Sequence, residues 1–174
     1  MRTIDLIVLG ILKREALSAY DIQKQVTSRN ISQWVKISIP SIYKKVIQLE
    51  KQGYLKGTAA KTSKMPEKVI YSLTKKGRRE FEKLMLGIAT RPINLHLDLN
   101  AVILNLDNLS PADQKTCLSI LEANIKSTQT KLTKINETQQ ELPTLSTTEK
   151  AVMHQQYLLI ETIERWLTEV KQTF

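Results

Sequence analysis

Ser38-Ile-Pro-Ser-Ile-Tyr-Lys-Lys-Val-Ile-Gln-Leu-Glu-Lys-Gln-Gly53 is the stretch that decides the fold of this chain. Ile39, Ile42, Val46 and Leu49 recur at spacings of three and four, so a helix would carry them on one stripe. Ser41, Lys44, Lys45, Gln48 and Lys51 recur at the same spacings on the opposite stripe. One face suits a core. The other presents hydroxyl, amide and ammonium groups, which contact phosphates and base edges. Ser38 is the expected N-cap, with Pro40 where a missing N–H costs little and Gly53 as terminator. Taken alone, the segment reads first as an ordinary amphipathic surface helix with lysines for solubility.

The segments around it remove that ambiguity. Ile4 to Leu12 is strongly apolar and reads as a buried helix, although it contains Asp5. Ala19 to Val26 reads as a second short helix, with Ser18 and Asp21 as an acidic variant of the capping box. The opening segment is then the third helix. Tyr54–Gly57 and Lys68–Leu73 are β-branched and aromatic, and they flank a polar stretch holding Lys61, Lys64 and Pro66. This predicts a hairpin with a basic tip. Helical spacing resumes from Thr74, with Phe81, Leu84 and Met85 apolar. That order is the order of a winged helix-turn-helix.

Charge divides the chain in the same way. Residues 1–88 hold 18 Lys+Arg against 7 Asp+Glu, net +11. Residues 89–174 hold 8 against 10, net −2. A basic half beside a nearly neutral half predicts one polyanion-binding domain and one domain with another task. The expected domains are 1–88 and 93–174, with Arg91-Pro-Ile-Asn94 as the junction.

In the second half, Leu95 to Leu106 is apolar nearly all round, which predicts a helix buried on most sides. Ser110-Pro-Ala-Asp113 starts a long helix carrying Leu118, Leu121, Ile125, Leu132 and Ile135. Ser146-Thr-Thr-Glu149 is a capping box for the last helix. There Val152, Leu159 and Trp166 are seven apart, with Ile163 and Val170 on an offset seam. Seams of period near 3.5 suit helix-on-helix pairing. The expected partner is a second copy of the chain, through Leu118, Leu121, Ile125, Leu159, Ile163 and Trp166. An intramolecular antiparallel hairpin is the alternative.

The inventory gives an enzyme little to work with. His96 and His154 are the two histidines and Cys117 the one cysteine, and no Gly-rich phosphate loop occurs. No cofactor or metal is expected, and Cys117 reads as a small buried hydrophobe. No membrane span is expected, and Asp5 in the first apolar stretch argues against a signal peptide, so a cytoplasmic location is the expectation.

These residues resemble the PadR family of bacterial transcriptional regulators over almost the whole chain. Ile4-Asp-Leu-Ile-Val-Leu-Gly-Ile-Leu12 is similar to the family's opening helix. Ser18-Ala-Tyr-Asp-Ile22 resembles its His-Gly-Tyr-Glu-Ile segment, with Ala19 replacing glycine. Trp34 to Tyr43 resembles the approach to its recognition helix, and Leu49, Glu50 and Gly53 the end of that helix. Pro66 to Thr74 with Gly77 resembles the second wing strand and the turn after it. The second half, with Leu97-Asp-Leu-Asn100 and Trp166, resembles the longer subfamily with a helical dimerisation domain. Two departures stand out. Lys44 occupies a position where many members have proline, and the wing has Lys61-Thr-Ser-Lys64 where a Gly-Gly-Arg run is common.

The resemblance implies a mainly α fold: an N-terminal winged helix-turn-helix with a two-stranded wing, then a long-helix dimerisation domain. It implies a homodimeric regulator of double-stranded DNA, usually a repressor, acting on a palindromic operator. The expected DNA contacts are Ser41, Tyr43, Lys44, Lys45 and Gln48 on the recognition helix and Lys61, Lys64 and Lys68 on the wing. Some members bind flat phenolic effectors near aromatic residues, which makes Trp34 and Trp166 the pocket candidates here, although the first expectation for both is a packing role. The rival expectation is a winged-helix module that binds RNA or protein without reading duplex sequence.

Overall fold

A computed structural model describes residues 3–60, 68–140 and 146–174. They form two compact units, Met1–Ile93 and Asn94–Phe174. The first contains helices α1 (Thr3–Arg14), α2 (Ala19–Ser28), α3 (Ile31–Trp34), α4 (Ser41–Lys51) and α5 (Lys75–Ala89). Between α4 and α5 lie strands β1 (Leu55–Ala60) and β2 (Lys68–Leu73). The second contains α6 (Leu99–Ile103), a 3-10 turn (Leu106–Asn108), α7 (Pro111–Gln140) and α8 (Thr147–Thr173).

The first unit closes around one core, to which every element except α3 contributes a buried side chain. Val8, Leu9 and Leu12 come from α1, Ile22 and Val26 from α2, and Ile42, Val46 and Leu49 from α4. Leu55, Tyr71 and Leu84 close the core from β1, β2 and α5. The apolar stripe expected on the decisive helix is the one that is buried, with Ile39 packed at its margin. The strands pair antiparallel from Leu55 opposite Leu73 to Ala60 opposite Lys68. Leu17, in the α1–α2 connection, bridges to Tyr71 and adds a short third rung.

Two details differ from expectation. The decisive helix is fourth rather than third, because the four-residue helix Ile31–Trp34 precedes it. Ser38 does not cap it: Pro40 holds the N-cap position and Ser41 is the first helical residue. Instead, the Ser38 carbonyl accepts from the Ser41 N–H at 3.1 Å and from the Ser41 hydroxyl at 2.6 Å. The other end is as expected. Gly53 sits at φ +75°, its N–H donates to Glu50 O, and the Tyr54 N–H donates to Leu49 O. That is a Schellman closure, which needs the left-handed backbone that glycine adopts without strain.

The connection to the wing is equally specific. The Thr74 side chain caps α5, accepting from the Gly77 N–H, while its hydroxyl donates to Gly53 O and Tyr54 O. A Cβ at Gly77 would collide with the Tyr54 carbonyl, so this position requires glycine.

In the second unit α7 and α8 run antiparallel against each other, fixing the seam within one chain. Glu164 accepts from Gln129 at 2.6 Å and Glu122 from Lys171 at 2.6 Å, a register that only antiparallel helices allow. Leu106, Leu118, Ile125, Ile160 and Leu167 are buried there, with Cys117, Leu121, Ile163 and Trp166 partly buried around them. So Leu118 and Ile125, read from sequence as facing a second copy, pack against α8 of their own chain.

The buried line on α8 is Met153, Ile160 and Leu167, one residue on from the expected Val152, Leu159 and Trp166. The capping box at Ser146 and Glu149 forms as expected. The Leu95–Leu106 segment is not one buried helix. Its helical part is Leu99–Ile103, and Leu95, Leu97, Val102 and Leu104 are exposed. Among the described residues nothing covers these side chains, and Leu106 alone of the segment is fully buried.

Candidate nucleic-acid interface

Because Ile42, Val46 and Leu49 are held in the core, the rest of α4 is sorted by angle, at about 100° per residue. Lys44, Gln48 and Lys51 point away from the core and are exposed. Tyr43 lies on one flank, 60 % exposed. Ser41 is half-buried, its hydroxyl donated back to Ser38 O, which leaves its lone pairs as acceptors.

Lys45 sits on the other flank, next to the core. Its ammonium lies 3.0 Å from the Asp5 carboxylate of α1, with the two side chains only 18 % and 3 % exposed. It also donates to Gln48 Oε1 at 2.8 Å. The same spacing that grouped Lys45 with Lys44 thus conceals different surroundings: one ammonium faces solvent, the other faces a buried carboxylate. Sequence reasoning did not include Asp5 in the site. Its signal was present, as an acidic residue inside an apolar helix, where a buried charge needs a partner.

The wing cations divide similarly. Lys61 and Lys64 lie outside the described residues. Lys68, at the start of β2, pairs with Asp21 at 2.8 Å. Asp21 also accepts from the Ser18 hydroxyl at 2.7 Å. The Lys68 ammonium, and after it the Ser18 hydroxyl, hold the Asp21 carboxyl below its ordinary range. Lys68 therefore ties β2 to the N-terminus of α2. The wing is braced from below as well: the Gly57 N–H donates to Glu50 Oε1 at 2.9 Å. Burial, and then the Glu50 carboxylate, push the Tyr71 phenol upward, so it stays neutral.

An open cleft of about 370 Å³ lies at the start of α4, with Lys36, Ser38, Ser41 and Arg91 in its lining. Two cationic and two hydroxyl side chains suit a phosphate oxygen. Lys36 and Arg91 were not among the residues read from sequence; each is a single basic residue outside any periodic pattern.

Residues 8–83 match the PadR-like transcriptional regulator family. The first unit carries a PadR-like domain. No curated protein matches the chain. Among solved structures, the fold is similar to that of Bacillus subtilis PadR in complex with operator DNA, with TM-score 0.79 and 19 % identity, covering 97 % of each chain. It is similar to Bacillus subtilis PadR in complex with p-coumaric acid, with TM-score 0.77 and 19 % identity, covering 98 % of this chain and 94 % of that one. It is similar also to the Vibrio cholerae virulence activator AphA, with TM-score 0.67 and 17 % identity, covering 96 % and 95 %. At these identities the likeness is one of fold: a PadR winged helix with long C-terminal helices.

The remaining candidates are placed as follows. Trp34 ends α3 in the first unit and is half-buried; Trp166 is half-buried against the α7–α8 seam of the second. Cys117 is partly buried in that seam. His96 and His154 are exposed. Among the described residues no three His, Cys, Asp or Glu side chains gather as metal ligands. No helix among them is long and apolar enough to cross a membrane.

Proposed function

We propose that this chain is a sequence-specific DNA-binding repressor that works as a homodimer on a palindromic operator. The observation that carries the reading is α4 itself. Its apolar stripe is fully buried while Tyr43, Lys44 and Gln48 project from the same helix into solvent. A helix anchored on one side and hydrogen-bonding on the other can enter a major groove without disturbing the core. Lys44 supplies phosphate attraction, Ser41 and Tyr43 suit phosphate contacts, and Gln48 suits a base edge. Lys61 and Lys64 are the wing cations assigned to the adjacent backbone. Lys45 and Lys68 are held in ion pairs with Asp5 and Asp21, which offset their charge, so their part in attracting the backbone is the smaller one.

The homodimer reading rests on what the second unit leaves uncovered. Leu95, Leu104, Ile120 and Leu158 are at least half exposed. Exposed apolar side chains on a two-helix unit are what an association face would cover, and a second copy would cover them by two-fold symmetry. Leu159 is 37 % exposed, and Leu121, Ile163 and Trp166 are half-buried against the α7–α8 seam. Repression, and release by a flat aromatic ligand at either Trp34 or Trp166, follow the family resemblance, supported by a similar structure holding p-coumaric acid. A similar structure described as an activator makes the sign of regulation a point for direct measurement. The cytoplasm is the proposed compartment.

The test is a footprint on the promoters of the chain's own gene and its neighbours. Two protected half-sites about one helical turn (~34 Å) apart are expected. Equal affinity for scrambled duplexes would overturn the reading in favour of an RNA- or protein-binding module. A reporter gene gives the sign, and phenolic acids added to the footprint test release.

A further inference from the structure

Asp5, Lys45 and Gln48 form a chain of contacts that runs from the core of the first unit to its proposed DNA-facing surface. Asp5 is buried on α1, Lys45 is mostly buried on α4, and Gln48 is exposed one turn further along α4. The contacts are 3.0 Å from carboxylate to ammonium and 2.8 Å from ammonium to amide oxygen.

The chemistry fixes the orientation of the last group. An ammonium has donors only, so the Gln48 atom facing it must be the carbonyl oxygen. The two hydrogens of Nε2 then become the groups that Gln48 offers outward. Without that contact an exposed glutamine amide could turn either end to a base. The buried carboxylate matters because it holds the ammonium at the helix flank and keeps it from extending to a phosphate.

We propose that Asp5 and Lys45 are positioning residues that set Gln48 as a specificity-determining donor, rather than Lys45 being a phosphate contact. The partner chemistry is a hydrogen-bond acceptor in the major groove: purine N7, guanine O6 or thymine O4. Cytosine presents a donor there and is rejected at the position Gln48 faces. This inference rests on the DNA-binding reading and adds which residue reads sequence and what holds it.

The experiment selects from a randomised duplex pool with the intact chain and with three variants, and compares preferences base pair by base pair. Gln48→Ala removes the reader. The double variant Asp5→Leu with Lys45→Met replaces the ion pair by apolar side chains, a change that well-packed sites tolerate. Lys44→Ala serves as the phosphate-contact control. Gln48→Ala and the double variant should both lose at least about fivefold discrimination against cytosine at one and the same base pair of each half-site. Their salt dependence should stay that of the wild type. Lys44→Ala should weaken binding to all sequences alike and keep the preference.

If the double variant fails to fold, Asp5→Asn, which retains the shape, carries the same comparison. Wild-type preferences in a folded double variant or Asp5→Asn, or in Gln48→Ala, would overturn the relay while leaving the DNA-binding reading intact. A reduced salt slope on loss of Lys45 would overturn it too, showing Lys45 on a phosphate. A wild-type pool without any preference would instead remove the DNA-binding reading itself, and the relay with it.

Discussion

The two units solve the burial problem differently. Among the described residues the first gathers twelve buried side chains into one core drawn from all but one of its elements. The second gathers five, from two helices of 30 and 27 residues and the turn before them. The first unit is closed by its own chain. The second closes one seam and leaves leucines on its outside. A closed unit makes a rigid mount for α4, whereas an open one asks for a partner.

The largest effect that would break this contrast lies in the closed core. Ile42→Ala deletes a fully buried side chain from the inner face of α4. It should cost ~2–5 kcal/mol of unfolding free energy. Urea melts following Tyr43, Tyr54 and Tyr71 would read it. A loss below ~1 kcal/mol would mean that the first unit is not the tightly packed scaffold described.

Next in size is the open surface. Leu104 and Leu158 are 82 % and 50 % exposed, so replacing both with serine should leave the melting of a single copy nearly unchanged. If a second copy covers them, each side chain loses part of ~1.5–3 kcal/mol of burial, twice over by symmetry. The dimer should then dissociate at least about tenfold more readily. Sedimentation over a dilution series measures this, and an unchanged dissociation constant would exclude these leucines from the interface.

How far the sequence revealed each unit follows from the same contrast. The stripe on α4 was legible because Ile42, Val46 and Leu49 are flanked by polar residues, so one period fits. On α8 two apolar lines run side by side, Val152–Leu159–Trp166 and Met153–Ile160–Leu167, only about 100° apart. Periodicity cannot choose between them. The packing of α7 does, and it takes the second. The caps at Ser18 and Ser146 were legible because they are local. The capture of Lys45 was not, since its partner Asp5 lies forty residues earlier. The short reach of α6 was hidden too, because its apolar residues fit a buried helix whether or not anything is present to bury them.

A smaller effect compares two lysines of the first unit. Lys44 faces solvent, whereas Lys68 is engaged by Asp21. Lys44→Ala should lower the slope of log affinity against log salt by about 1. Lys68→Ala should change that slope less, and it should let the Asp21 carboxyl rise toward its ordinary range, since Lys68 is the main cause of its depression. Carbon-detected NMR titration of Asp21 reads this directly. Equal salt slopes for the two variants would place both lysines on phosphates.

The smallest effect belongs to the second unit and concerns what holds α7 against α8 besides the seam. Glu122 on α7 accepts from Lys126 of its own helix at 3.0 Å and from Lys171 of α8 at 2.6 Å. Lys171 first, and then Lys126, pull its carboxyl from 4.5 down to about 2. A carboxyl with a depressed folded pKa binds its proton more readily in the unfolded chain. Its stabilisation is therefore fully present above pH 4.5 and is lost as pH falls through about 2. Glu122→Gln should remove that dependence. The stability gap between wild type and variant should be constant at neutral pH and close across this acid window, with salt shrinking it at any pH because the group is exposed. A gap that persists below pH 2 would mean that Glu122 contributes through packing rather than charge. The absence of any gap would leave the apolar seam and the Gln129–Glu164 contact to hold the two helices together, and would strengthen the case that a second copy completes the unit.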